Sequence, residues 1–208
     1  MRHLHTTLRR DRKLKHFGRL QYGLFLKGIG LSVDEALAFW RSSFAMSDDD
    51  FNKEHRYNVR HSYGLEGGRR NYKPYSCQQI LMDRRPGTGE AHGCPYLHFS
   101  LDNLLATLRN ASIVTDRDVL RGVQEDIEVK KYHIACTRVF EHVHAKELKR
   151  EKDAGTFSAR MTDPIIHPNE HFSRSFVLKN PTASLDGTTA LPTTGPPVQD
   201  AEGDEPMI

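Results

Sequence analysis

The sequence predicts a mainly α-helical domain with a minor β-hairpin element and a disordered C-terminal tail. Three observations lead to this fold class. Apolar residues recur at helical spacing behind helix-capping residues in several segments. A short stretch beginning at Tyr57 alternates as a strand does. The last 28 residues contain five prolines and no aromatic residue. We therefore expect residues 1–180 to form one compact domain and residues 181–208 to form an acidic, proline-rich tail.

The clearest helix signals are caps followed by apolar stripes. Ser32 and Glu35 form a capping box ahead of a stripe that includes Trp40, which we expect in the core. Further along, Ser100 precedes leucines that share one helical face. These leucines are Leu101, Leu104, Leu105 and Leu108.

Three further helices are predicted towards the end of the domain. Thr115 with Asp118 is expected to cap the segment that follows it. Residues 130–150 carry Cys136 on an apolar stripe and end in Lys and Glu residues, which favour helices. Pro168 suits the first position of a last helix, because the N–H that proline lacks would be unpaired there.

The stretch between residues 55 and 95 has weaker patterns. Residues 57–63, YNVRHSY, alternate in a way typical of a short strand, and they are the predicted β element. The glycines of residues 64–68 and the pair Pro86–Gly87 indicate turns.

Length and hydropathy exclude several classes of protein. At 208 residues the chain has room for one domain and a tail. No apolar run approaches the roughly 18 residues of a membrane-spanning helix. The basic N-terminus also lacks the apolar segment of a secretion signal. We expect a protein that stays inside the cell and has no membrane partner.

Positive charge is concentrated at the N-terminal end. The net charge is +3, yet residues 181–208 contain five acidic and no basic side chains. Residues 1–31 hold eight Lys and Arg side chains against the single acid Asp11. Such a cluster suits a phosphate-rich partner, since each neutralised phosphate releases a counterion. The alternative is an ordinary solvated helix face.

The three cysteines leave several interpretations open. Their spacing fits neither a zinc finger nor a bacterial ferredoxin, and their odd number argues against a disulfide framework. Three ordinary buried thiols are one interpretation. Glycine and proline near Cys77 and Cys94 favour another, in which these thiolates and Cys136 bind three irons of a cubane cluster or three positions of a zinc tetrahedron. Either centre needs a fourth ligand. We expect His92 to be a local hydrogen-bond partner.

One long run indicates a family. Residues 18–31, GRLQYGLFLKGIGL, closely resemble a signature of the C-terminal iron–sulfur domain of the eukaryotic DNA primase large subunit, in a fungal-like form. Shorter matches follow in the same order, and the resemblance covers about residues 1–180. They are ALAFW at 36–40, YNVRHSYG at 57–64, HGCP at 92–95 and HPN at 167–169.

The resemblance implies a four-iron four-sulfur cluster. In the family four cysteines bind it, and Cys77, Cys94 and Cys136 match three of them by context. The first family cysteine lies immediately ahead of the stretch that begins at Met1. We therefore expect an N-terminally truncated piece rather than a short form with an altered centre. In the family, the missing part contacts DNA polymerase alpha and the small, catalytic subunit of primase.

The resemblance also implies a nucleic-acid site. In the family this domain holds the junction of a DNA template with the 5′-triphosphate end of an RNA primer, as a nuclear, non-catalytic subunit in DNA replication. Some residues would offer cationic donors to the triphosphate, and others stacking or amide contacts. The first set is Lys15, His16, Arg19 and Lys27, and the second is Tyr22, Tyr57, Asn58 and His61.

Two other functions are compatible with the sequence. An iron–sulfur redox protein would use the cluster without nucleic acid, and a zinc-stabilised helical interaction module would hold zinc in its place. We find no paired carboxylates in a strand context, which a two-metal polymerase site would need.

Overall fold

The apolar stripes of the sequence assemble into a bundle of helices. The computed structural model describes residues 1–83, 86–155, 161 and 163–180, and these ranges contain twelve α-helices and no strand. The helices are α1 (Arg2–Asp11), α2 (His16–Gly28), α3 (Val33–Ser43), α4 (Asp48–Glu54), α5 (Arg56–Ser62), α6 (Cys77–Met82), α7 (Pro95–His98), α8 (Leu101–Asn110), α9 (Arg117–Glu128), α10 (Tyr132–Val143), α11 (Ala145–Asp153) and α12 (Pro168–Lys179).

The N-terminal half packs around Trp40. Its cluster of buried side chains joins α1, α2, α3 and α4, and it includes Leu4 and Leu8, which are fully buried. Trp40 is 4% exposed, as its place on the α3 stripe predicted. The predicted capping box is confirmed. The Ser32 hydroxyl accepts from the Glu35 N–H at 3.3 Å, and the Glu35 carboxylate accepts from the Ser32 N–H at 2.8 Å.

A second cluster fills the space between α7, α8, α9 and α10. Ser100 caps α8, and the predicted leucine face lies in this cluster. The predicted cap of α9 is wrong by one residue, because Asp116 rather than Thr115 occupies that position. The Asp116 carboxylate accepts from two backbone N–H groups, at 2.8 and 3.3 Å, which makes it the better cap.

The last helix returns to the first half of the chain. α12 begins with Pro168 at its first position, as predicted. A third apolar cluster joins α12 to α10, and Asn169 donates from Nδ2 to the Phe25 carbonyl of α2 at 2.9 Å. Gly28 lies at this crossing, where a Cβ would collide with Pro74 and Asn169. The close packing of Pro74 and the Asn169 side chain against α2 therefore favours glycine at this position.

The predicted β element is wrong. Residues 57–63 lie almost entirely in α5, which follows α4 after the single residue His55. The described ranges contain no strand with which this segment could pair, and a lone strand would leave its backbone N–H and C=O groups unpaired. As a helix, the segment pairs these groups internally and places Tyr57 and His61 on one face.

The helix predicted over residues 130–150 is two helices. α10 ends at Val143 and α11 begins at Ala145, with His144 between them. The His144 ring is buried against Phe140, with ring centroids 4.6 Å apart, and this contact anchors the chain at the break.

Two expectations concern the tail and membranes. The predicted tail, residues 181–208, lies outside the described residues. Of the helices that the structure describes, none combines the length and the apolar character needed to cross a membrane.

Candidate nucleic-acid interface and cysteine site

A cavity of about 890 Å³ lies between α2, α3, α5 and the loop that follows α5. Its floor is apolar and includes Trp40 and Phe44 of the N-terminal core. Its rim is polar and cationic, with two tyrosines. The rim residues are His16, Arg19, His55, Tyr57, Asn58, His61, Arg70 and Tyr72.

Arg19 brings a partly buried positive charge to the cavity. Its Nη1 donates to the Leu14 carbonyl at 2.7 Å, and this is the one hydrogen bond of the guanidinium within the described part of the chain. Burial lowers the pKa of Arg19, but the group stays protonated at neutral pH because its ordinary pKa is above about 12. A partly desolvated charge attracts an anion more strongly than one in bulk water. Arg19 is therefore well placed to bind an anionic group in the cavity.

Three aromatic rings form a series at the rim. Tyr57 and His61 lie one turn apart on α5, with ring centroids 5.7 Å apart and planes 19° from parallel. The His61 ring lies 5.2 Å from the ring of Tyr72. Tyr57 is 52% exposed, so part of its ring faces solvent. Exposed aromatic faces are the surfaces on which unpaired bases stack.

Two histidines complete the rim. His16 is the first residue of α2, a helix of 13 residues whose N-terminal N–H groups favour an anion. His55 lies between α4 and α5, where burial, and then repulsion from Arg19, lowers its pKa. At neutral pH His55 is therefore an uncharged hydrogen-bonding group, and the fixed positive charge of the rim comes from Arg19 and Arg70.

Five of the eight predicted nucleic-acid residues come together at this cavity, and three do not. Lys15 lies outside it and donates to the Thr88 carbonyl at 3.1 Å. Tyr22 is 5% exposed, and its hydroxyl hydrogen-bonds to His5 Nδ1 at 2.8 Å. Burial raises the pKa of Tyr22 to about 12. The Tyr22 ring packs in the core and offers no face to a base. The five at the cavity are His16, Arg19, Tyr57, Asn58 and His61.

Lys27, the third residue outside the cavity lining, is held by the loop after α5. Its Nζ donates to the carbonyls of Ser62 and Tyr72, each at 2.7 Å, and to the side-chain oxygen of Asn71. The same atom lies 5.2 Å from the centre of the Tyr63 ring. Burial lowers the pKa of Lys27 to about 8. All these contacts are made with residues 62–72, the loop that borders the cavity.

Sequence reasoning missed three rim residues: His55, Arg70 and Tyr72. For the last two, the sequence predicts only turns after residue 63. The available signal was the pair Arg69–Arg70, which follows glycines directly after the YNVRHSYG match. That the loop folds back over the cavity depends on contacts with α2, which no local pattern reveals.

The three cysteines are widely separated in sequence, and the fold brings them together. Cys77 is the first residue of α6, Cys94 precedes α7 as its cap, and Cys136 lies within α10. Burial raises the pKa of Cys77 and of Cys136 to about 12, and the neighbouring Cys94 thiol contributes to both increases. Cys94 and Cys136 also pack against the same apolar cluster, which lies between α7 and α10.

The Met1 end of α1 lies at the same place. The Met1 amino group donates to the Gly93 carbonyl at 2.7 Å. Burial lowers the pKa of this amino group, and the three thiols oppose that shift. The adjacent loop is fixed by His92, as expected. Its Nδ1 accepts from the Cys94 N–H at 3.2 Å, and its Nε2 is 3.1 Å from the Ile80 carbonyl.

Cysteine thiolates are ligands both of zinc ions and of iron–sulfur clusters. Among the described residues, no group of three or more His, Cys, Asp or Glu side chains could hold one metal ion. Thiolates that share a tetrahedral zinc ion lie about 3.8 Å apart. In a cubane cluster each thiolate binds a different iron, so its ligands lie further apart. The three thiols are partly buried, and a cationic centre would offset the cost of burying their thiolates.

The chain matches known proteins along most of its length. Residues 1–172 match the C-terminal domain family of the eukaryotic and archaeal DNA primase large subunit. The chain belongs to this family. A "Probable DNA primase large subunit" of Neurospora crassa is 60% identical over 186 residues, which are 86% of this chain and 36% of that protein. The DNA primase large subunit of Schizosaccharomyces pombe is 53% identical over 175 residues, 84% of this chain and 36% of the relative. The human DNA primase large subunit is 37% identical over 203 residues, 95% of this chain and 36% of the relative.

The primase resemblance drawn from residues 18–31 is thus confirmed, and the chain spans about a third of the length of these primase subunits. The matched range, residues 1–172, contains the whole lining of the cavity and all three cysteines. Both candidate sites therefore lie within the primase family domain.

Proposed function

We propose that this primase domain holds the junction between a DNA template and the 5′-triphosphate end of an RNA primer in the cavity beside α2. One observation carries the proposal. The cavity combines fixed positive charge, from Arg19 and Arg70, with the exposed ring of Tyr57, which stacks on His61. Phosphate groups require the first, and unpaired bases at a strand end require the second.

The terminal phosphates would lie at Arg19. Among the described residues its guanidinium gives one N–H to Leu14, so most of its donors remain for phosphate oxygens. His16 at the start of α2 adds a ring donor and the favourable end of a helix dipole. Arg70 adds a second fixed charge, from the loop after α5. A triphosphate carries enough charge to engage all three.

The neighbouring bases would stack on the Tyr57, His61 and Tyr72 rings. Stacking tolerates any base, which suits a domain that must bind many primer sequences. Asn58 lies on the same helix and lines the cavity, where its amide can donate to the template backbone or to a base edge. In this proposal recognition therefore depends on the strand end and not on sequence.

We further propose that Cys77, Cys94 and Cys136 hold a four-iron four-sulfur cluster. Through these cysteines the cluster would link the start of α6, the cap of α7 and α10, beside the Met1 end of α1. The electrostatic influence of the three thiols on one another supports the proposal, and iron binding would release their protons. The resemblance implies that the first family cysteine lies directly ahead of the stretch that begins at Met1, and the Met1 amino group lies next to Cys94, at the Gly93 carbonyl.

Within the whole large subunit, we propose that this domain acts in RNA primer synthesis for DNA replication in the nucleus. It would have no nucleotidyl-transfer site of its own. DNA polymerase alpha and the small, catalytic subunit of primase would contact the part of the large subunit that this chain does not span.

The experiment measures equilibrium binding of the full chain to a template with a recessed RNA primer. Fluorescence anisotropy reports the binding, at two salt concentrations. Primers with a 5′-triphosphate and with a 5′-hydroxyl are compared. We expect the triphosphate primer to bind at least about tenfold more tightly, with the steeper salt dependence. Equal affinity for the two ends would show that the cavity does not recognise the primer end.

A further inference from the structure

We propose that Lys27 is a positioning residue, which fixes the loop of residues 62–72 over the cavity and does not itself bind phosphate. This inference rests on the proposed function of the cavity. It assigns to Lys27 a role different from the triphosphate contact that the sequence predicts, and it makes the loop a clamp that holds Arg70 and Tyr72 at the rim.

The contacts of Lys27 join both ends of this loop to α2. Ser62 is the last residue of α5, and its carbonyl accepts from Nζ at 2.7 Å. Tyr72 lies ten positions later, and its carbonyl accepts from the same atom at 2.7 Å. The Asn71 side chain is a third acceptor. One ammonium group therefore closes the loop and ties it to α2.

The loop itself is tightly turned. Gly64 has φ +73°, and a Cβ there would lie 3.2 Å from the carbonyl oxygens of Arg69 and Arg70. Gly67 has φ +58°, a conformation that glycine adopts without strain. Arg60 on α5 pairs with Glu66 near the tip of the loop, at 2.5 Å. The loop is thus shaped by its glycines and held at its tip by an ion pair, and Lys27 provides the bond between its ends.

The protonated form of Lys27 suits this role best. An ammonium group has a donor for each of the three acceptors, whereas a neutral amine has one donor fewer. The titratable groups packed nearby are Tyr63, whose ring lies below Nζ, and Tyr72. Burial, and then Glu35, raises the pKa of Tyr63, so this phenol stays neutral at physiological pH. Within the described residues no carboxylate forms an ion pair with Lys27.

Proton loss from Lys27 falls within an accessible pH range. With a pKa of about 8, the group is mostly protonated at pH 7 and mostly neutral at pH 9. If the ammonium group holds the loop, the loop should loosen and nucleic-acid affinity should fall across this interval. Phosphate binding by Lys27 itself would also weaken, but it would leave the free loop unchanged.

The test combines hydrogen–deuterium exchange of the full chain without nucleic acid and anisotropy with the triphosphate primer. Lys27→Met keeps the apolar stem and removes the ammonium. Lys53→Met, on the exposed surface of α4 away from the cavity, is the charge-matched control. We expect Lys27→Met to speed exchange in residues 62–72 only and to weaken binding by about tenfold. Lys53→Met should do neither.

The pH profile provides the second readout. Wild-type affinity should fall between pH 7 and pH 9, and the Lys27→Met variant should lose this dependence. Weaker binding by Lys27→Met with unchanged exchange in residues 62–72 would overturn the inference and leave the proposed function standing. Failure of the wild-type chain to prefer the triphosphate primer would overturn the proposed function, whereas exchange would still report whether Lys27 holds the loop.

Discussion

Replacing Arg19 by alanine should weaken binding of a triphosphate primer without unfolding the domain. The side chain lines the cavity, and its one hydrogen-bond partner among the described residues is the Leu14 carbonyl at 2.7 Å. Most of its N–H donors are thus left for phosphate oxygens. A charge-assisted hydrogen bond contributes about 1.5 to 3 kcal/mol, which corresponds to an affinity loss of about tenfold to a hundredfold. Loss of the Leu14 contact, which is a hydrogen bond of the same charged donor, should cost at most about 1.5 to 3 kcal/mol of unfolding free energy.

The assay is anisotropy with the full chain and primers that carry a 5′-triphosphate or a 5′-hydroxyl. Arg41→Ala is the matched control, because Arg41 is an exposed arginine of α3, paired with Asp48 at 3.7 Å and absent from the cavity lining. We expect Arg41→Ala to change affinity by less than about threefold. Thermal unfolding checks that both variants are folded. The reasoning is refuted if the two variants weaken binding equally, or if Arg19→Ala affects the hydroxyl primer as strongly as the triphosphate primer.

Three further predictions concern the rings, the cysteines and acid stability. Tyr57→Ala should weaken primer binding by about five- to 150-fold, because a base loses its stacking partner. Leu65→Ala is the control, because Leu65 is exposed on the loop and does not line the cavity. Equal effects of the two variants in the anisotropy assay would contradict the prediction. Cys136→Ser should abolish the visible absorbance of the chain after anaerobic reconstitution with iron and sulfide, and an unchanged spectrum would exclude Cys136 as a ligand. Burial, and then repulsion from the Met1 amino group, lowers the pKa of His171 to about 4, so below its ordinary pKa of 6.5 the unfolded chain binds more protons. Stability should therefore fall from pH 6.5 to pH 4 by up to about 3 kcal/mol, and urea unfolding should show a smaller loss for His171→Phe.

Local signals predicted the helices whose causes are local. The α3 helix was predictable because its capping box and its apolar stripe lie within one short segment. The α5 helix was not, because alternation of polar and apolar residues predicts a strand only if a partner strand exists. Residues 57–63 carry no information about such a partner, which could lie anywhere along the chain. The break at His144 likewise depends on burial of its ring against Phe140.

In the candidate site too, the sequence predicted what depends on local motifs and missed what depends on long-range contacts. Arg19, Tyr57 and His61 were found because they lie within continuous motifs on α2 and α5. Tyr22 and Lys27 lie in the same motif as Arg19, yet one is 5% exposed and the other is bonded to residues 35 to 45 positions away. A motif identifies residues that a fold requires, but only the fold separates those that face a ligand from those that hold the structure. Arg70 was missed for the converse reason, since long-range contacts such as those of Lys27 and Tyr72 place its loop at the cavity.

The most direct measurement is the position of the primer end on the protein. A primer with a photoreactive 5′-terminal nucleotide is crosslinked to the full chain on its template, and the modified peptides are identified by mass spectrometry. We expect crosslinks to the cavity rim, in α5 at Tyr57 to His61 or in the loop at Arg70 to Tyr72, and competition by unlabelled triphosphate primer but not by the hydroxyl form. Crosslinks confined to a surface outside the cavity, such as the groove between α8 and α9 at Arg109 and Arg117, would contradict end recognition at this cavity.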